Sequence, residues 1–161
     1  MRRLLRSSRA TIVAWVPLVL VLVLVSLVSC SSSTGVTREL TVAMRRWSAS
    51  APASYEVTVS RGCFCGPDAT RAVVVRVRAG QVESRRYADT GADVAANLAA
   101  AYPTVAELFA IIQDAESRDA AQIDAQYDAT YGYPTSLYID YSERIADEEM
   151  SYAMRDFHVI P

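Results

Sequence analysis

The 161-residue chain is long enough for one domain or a small pair, and its sixteen basic and eighteen acidic side chains give a formal charge of −2. Every basic residue is Arg and His158 is the one His, which excludes a P-loop lysine, a Ser–Lys dyad, Schiff-base chemistry and a two-His zinc site within one chain. The slight acidic excess argues against a nucleic-acid partner held by bulk charge.

The chain opens with Arg2, Arg3, Arg6 and Arg9, then carries no charge from Thr11 to Cys30. Val16 to Val28 is apolar except for Pro17 and Ser26. A positive start followed by an apolar run is the layout of a secretory signal peptide. The run also approaches the roughly 20 residues of a membrane-spanning helix, so an uncleaved anchor is the competing reading. The end of the run separates them. Leu27-Val28-Ser29-Cys30 has the layout of a bacterial lipobox, in which the Cys thiol takes a diacylglyceryl group and becomes the first mature residue. Two or more acyl chains give a stable anchor, because each buried CH₂ contributes about 0.8 kcal/mol. The expected organisation is a lipoprotein signal peptide at residues 1–29, the lipidated Cys30 with a Ser-rich tether to residue 36, and one domain at 37–161. Removing residues 1–29 takes four Arg and no acid, leaving twelve basic and eighteen acidic residues, or −6. An acidic domain is repelled by anionic lipid, so the acyl group provides the attachment.

Val36, Leu40, Ala43, Met44 and Trp47 recur at helical spacing and predict an amphipathic helix over Thr37–Trp47, broken by Pro52. Tyr55, Val57 and Val59 alternate with polar residues, predicting a strand. Gly62–Asp68 reads as a turn holding both remaining cysteines. Ala72–Arg78 predicts a second strand, and Val82–Tyr87 a more polar third strand at a sheet edge. Ala-rich Asp93–Ala101 predicts a short helix. Thr104 and Glu107 then form a capping box opening a helix to Ser117, with Val105, Leu108, Phe109, Ile112 and Ala115 on one face. Alternation predicts strands at Ile123–Tyr127 and around Leu137–Tyr141, separated by the Tyr131-Gly132-Tyr133-Pro134 turn. An acidic loop, Glu143–Glu149, leads to a last strand from Met150 to Val159. The fold class is therefore α+β: helix and three strands, twice over, in an antiparallel sheet of about six strands with the helices on one face. The shared order admits an internal repeat, without residue-level identity to support it.

Arg61-Gly62-Cys63-Phe64-Cys65-Gly66-Pro67 is the most unusual local sequence. In an exported domain, Cys63 and Cys65 most simply form a disulfide. Residues two apart in an extended strand are badly placed for that bond, so the segment must bend, as Gly62, Gly66 and Pro67 permit. Such a bridge locks a turn and orients Phe64. Buried free thiols, thiol–disulfide exchange and soft Cu(I) binding are the alternatives, the last lacking a third ligand at any suggestive spacing.

Trp47, Tyr55, Cys63-Phe64-Cys65, Thr104-Val105, Leu108-Phe109, Tyr127-Asp128, Gly132-Tyr133-Pro134 and Ile139-Asp140 together resemble a family of uncharacterised bacterial lipoproteins built on one domain of unknown function. The likeness covers about Leu40 to Phe157. It implies a cell-envelope location and a small α+β domain, and it supplies no activity.

No catalytic constellation emerges. Ser151 and Asp156 near His158 do not build a triad along a strand, and there is no Gly-x-Ser-x-Gly elbow. Asp140, Glu143, Asp147, Glu148 and Glu149 lack an EF-hand pattern and read as a solvated loop. No cofactor or metal is expected. Six of the nine Tyr lie between Tyr127 and Tyr152, and Tyr133 and Tyr138 are the candidates for an exposed binding surface. The expectation is a non-enzymatic module tethered to a membrane through Cys30, with the domain outside the cytoplasm and an envelope protein as possible partner. A redox protein using Cys63 and Cys65, and an inhibitor or assembly factor binding through a Tyr-rich sheet face, are the alternatives.

Overall fold

A computed structural model describes residues 33–161, of which Val36–Pro161 forms one folded unit. The signal peptide, the lipobox and Cys30 lie outside the described residues. Helix α1 is Ser33–Ser50, and Leu40 and Ala43 bury its inward stripe. It starts inside the segment expected to be tether. Backbone hydrogen bonds propagate a helix without apolar side chains, so a pattern that begins at the first inward residue finds the start about one turn late.

Strands β1 (Tyr55–Cys63), β2 (Val73–Arg78) and β3 (Gln81–Tyr87) form an antiparallel meander. In register, Tyr55 faces Val77, Val57 faces Val75 and Val59 faces Val73, giving a wall of buried β-branched side chains. Between β3 and the second α-helix the expected short helix forms as a 3-10 helix confined to Ala96–Ala101. Asp93 bridges back to Arg86 of β3 and Val94 N–H donates to Arg85 O, holding the preceding residues extended. Helix α2 is Val105–Ser117. Thr104 Oγ1 accepts from Glu107 N–H at 3.2 Å, and the Glu107 carboxylate accepts from Thr104 N–H at 2.7 Å, completing the capping box.

Strands β4 (Gln122–Tyr127), β5 (Pro134–Asp140) and β6 (Met150–Val159) form the second meander. Pairing of β1 with β6 joins the two into one six-stranded antiparallel sheet of order β3-β2-β1-β6-β5-β4. Leu40 and Ala43 of α1 share one core with Val105, Leu108, Phe109, Ile112 and Ala115 of α2 and with the inward residues of the sheet. Both helices therefore cover the same face, and the other face carries the polar alternates. The halves repeat their element order but not their placement: β1, the first strand of its meander, is central, whereas β4 is an edge.

Along β6 the alternation fails once. Glu56 pairs with His158 and Thr58 with Arg155, so Asp156 and Phe157 stand opposite Val57 alone. This bulge, with Asp156 at φ 52°, turns Phe157 toward the core. There it meets Tyr133 at 4.7 Å between ring centroids, Tyr55 and Tyr131 at 5.2 Å, and Trp47 at 5.9 Å. That aromatic cluster corrects the expectation for Tyr133. It is 9 % exposed, because the turn before β5 folds it inward onto Phe157.

Candidate functional site

Two places in the domain combine unusual chemistry with accessibility. The first is the end of β1. Cys63 is the last residue of the strand, and Cys65 N–H donates to Cys63 O at 2.9 Å, a three-residue turn that supplies the bend the pairing needs. The Cα atoms lie 5.3 Å apart and the sulfurs are joined. Phe64, between them, is 81 % exposed.

The chain behind this tip is held firmly. Pro67–Ala69 forms a 3-10 turn, and Ala69 is buried. The hydroxyl of the fully buried Tyr102 donates to Asp68 O at 2.7 Å. Arg71 donates to Asp89 at 2.6 Å, lies 3.7 Å from Asp68, and stacks its guanidinium 3.7 Å over the Tyr87 ring. Its hydrogen bond to Asp89 holds that carboxyl below the usual carboxylate range. Because β1 pairs with β6 up to Cys63–Met150, the acidic β5–β6 loop emerges at the same end of the sheet. That loop carries Glu143, Asp147, Glu148 and Glu149 and an Ile145 that is 56 % exposed.

The second place is a cavity of about 590 Å³ between α1, from Val36 onward, and strands β4, β5 and β6. Strand alternation and the shared core place Ile123, Ala125 and Tyr127 of β4 on the helix-covered face with Leu137 and Tyr152. Ala125 faces Leu137, which faces Tyr152, and the small Ala leaves the space open. Val36 and Glu39 of α1 also line it. Tyr127 stacks on Phe109 of α2 at 6.3 Å, and its buried hydroxyl has no hydrogen-bond partner. Burial, reinforced by the Glu116 and Glu39 carboxylates, pushes this phenol up to about 12. Oε1 of Glu116 is likewise buried and unpartnered.

The other candidates separate. Tyr138 stands on the polar face of β5, 36 % exposed, with its pKa raised by desolvation and then by Asp140, Glu149 and Asp124. Tyr133 and Tyr152 are buried, so the tyrosines between residues 127 and 152 do not share one exposed face. His158 Nε2 lies 3.0 Å from Glu56, which also pairs with Arg76. No Ser or Cys joins these contacts. Among the described residues no group of three or more His, Cys, Asp or Glu side chains is placed to hold a metal, and no helix is long and apolar enough to cross a membrane. Sequence reasoning missed the cavity. Its signal was a lone Ala between Ile123 and Tyr127 on the inward face of an edge strand, which acquires meaning only once α1 is placed.

A family model described as a family of unknown function, DUF6174, matches residues 39–159. No curated protein and no solved structure matches the chain.

Proposed function

The chain belongs to the DUF6174 family of unknown function, and from that premise we propose that it is a lipid-anchored module of the cell envelope that binds a macromolecular partner through Phe64. The carrying observation is the braced tip. An exposed Phe on a slack loop signifies little, but this one sits in a disulfide-closed ring whose supporting loop is pinned by Tyr102 and Arg71. Burying a Phe side chain is worth about 1.5–3 kcal/mol, and little conformational entropy remains to be lost when it docks. Acidic residues on the neighbouring loop suit a partner that offers an apolar pocket with a basic rim. The lipobox at Leu27–Cys30 supports the anchored location, and a bridged Cys pair suits an oxidising compartment.

A photoreactive Phe analogue at position 64, expressed in the native envelope, tests the contact. One crosslinked product of defined mass is expected, absent when the same probe replaces Val82 on the far edge, and lost when Cys63 and Cys65 are both Ser. No product, or equal products from both positions, contradicts the reading.

The solvent-facing position of Cys65 favours a second reading, thiol–disulfide exchange with a partner dithiol. That reading requires a bridge that opens reversibly at envelope potentials. Alkylation and mass measurement across a redox titration separate the two, since a purely structural bridge stays closed throughout.

A further inference from the structure

The cavity on the β4 side of the sheet belongs to neither of these readings. Its lining is mixed. Val36, Ile123, Ala125 and Leu137 are apolar, Tyr127 and Tyr152 are aromatic, and Glu39 and Asp124 carry full negative charges among the polar residues that complete it. Among the described residues, no basic one lines it. Arg61, whose charge acts on the Tyr152 phenol, is not among the lining residues.

We propose that this cavity is a binding site for a small organic cation, a protonated amine on an alkyl or aryl frame, with the frame over Ala125 and Leu137 and the ammonium at the end that carries Glu39. Four observations converge on that class. The volume of about 590 Å³ lies within the roughly 300–1,000 Å³ range of small-molecule sites. The floor, made by Leu137 and Tyr152, is buried and apolar, whereas the inward residues of β4 are only half-buried, so the space is open to entry. Tyr127 and Tyr152 bring aromatic rings to the lining, while the Tyr127 oxygen stays buried behind it. The field at that end is negative, set by Glu39 on α1 and Glu116 on α2, and aromatic faces add cation attraction of about 0.5–2 kcal/mol. An anion is disfavoured by the same carboxylates. A neutral ligand of the same shape forgoes both the charge and the ring term.

The site is independent of the Phe64 tip, so either can fail alone. The test uses the full-length protein in an uncharged detergent, titrated by calorimetry with phenethylammonium. Phenylethanol and phenylpropionate serve as neutral and anionic probes of similar size. Saturable binding of the ammonium is expected, at least about tenfold weaker binding of the alcohol, and none of the carboxylate. Glu39→Gln is expected to weaken the ammonium about tenfold while leaving the alcohol unchanged. Glu39 is exposed on α1, so this substitution leaves the fold intact. Ala125→Leu, which fills the space, is expected to abolish binding of both, with an unchanged circular dichroism spectrum as the check on folding. Equal binding of all three probes overturns the proposal. So does absence of ammonium binding at 10 mM, about 2.7 kcal/mol of affinity at that limit, or a Glu39→Gln protein that binds as tightly as the parent.

Discussion

The two meanders of the sheet have the same strand count and opposite finish. In the first, the valine wall is closed, and the arginines of β2 and β3 meet acids: Arg76 with Glu56, Arg78 with Glu83 at 3.2 Å, Arg85 with Glu107 at 3.0 Å and Arg86 with Asp93 at 3.0 Å. Each exposed pair is worth little alone, but together they fix the edge strand and blunt it against further pairing. In the second, a half-buried edge strand, a cavity and two unpartnered polar atoms, Tyr127 OH and Glu116 Oε1, lie together. One half is finished as a scaffold except at Arg61, whose Nε is also buried without a partner near the end that presents Phe64. The other leaves its unpartnered Tyr127 and Glu116 atoms on the side of the cavity, as a binding region would.

The largest effect should come where α1 rests on the second meander. Gly132 has φ +83°, and a Cβ there would lie 2.6 Å from the carbonyl oxygen of Ala43 and 2.9 Å from Cβ of Arg46. Gly132→Ala is expected to cost more than about 2 kcal/mol in urea unfolding, through strain and displacement of the helix. Gly80, in the β2–β3 turn, has φ +76° with open space around it. Gly80→Ala is expected to cost only about 1 kcal/mol, the left-handed backbone term alone. Equal costs would mean that α1 does not seat on the β4–β5 hairpin.

A smaller contrast separates two tyrosine hydroxyls. Tyr102→Phe removes the donor to Asp68 O and is expected to cost about 1 kcal/mol. Tyr127→Phe removes a buried oxygen with no partner and is expected to be neutral or slightly stabilising without ligand. Chemical denaturation of both variants decides this. A large loss for Tyr127→Phe would show a hydrogen bond at that oxygen.

A third effect is alkaline. Burial raises the pKa of Tyr55, Tyr102, Tyr127, Tyr133 and Tyr152, Tyr127 to about 12. Between pH 10 and 12 the unfolded chain has lost phenol protons that the folded chain still holds. The stabilisation is therefore fully present below pH 10 and is lost as pH rises through the folded values. Urea midpoints should be level from pH 8 to 10 and fall above it, less steeply for Tyr127→Phe. An unchanged slope in that variant would remove Tyr127 from the account.

Much of this arrangement was legible in the residues. The alternation of Tyr55, Val57 and Val59, the Thr104–Glu107 box and the final strand from Met150 to Val159 each follow a local rule that the tertiary structure leaves in force. What escaped were features set by distant neighbours. The bulge at Asp156 forms against β1 and turns Phe157 inward, where Tyr133 packs on it. The short helix expected over Asp93–Ala101 starts only at Ala96, because Asp93 is held in a bridge with Arg86. The Cys63-Phe64-Cys65 tip stood out by composition, whereas the cavity over Ala125 belongs to the packing of α1 and leaves no local pattern.

The anchored location is the premise on which the proposed role rests, and the chemistry at Cys30 tests it most directly. Cells fed a clickable fatty acid should label the parent protein and not the Cys30→Ala variant, and the mature polypeptide should begin at an acylated Cys30 in the membrane fraction. Labelling of both or of neither, with the parent chain beginning at Met1 in the soluble fraction, would contradict the account.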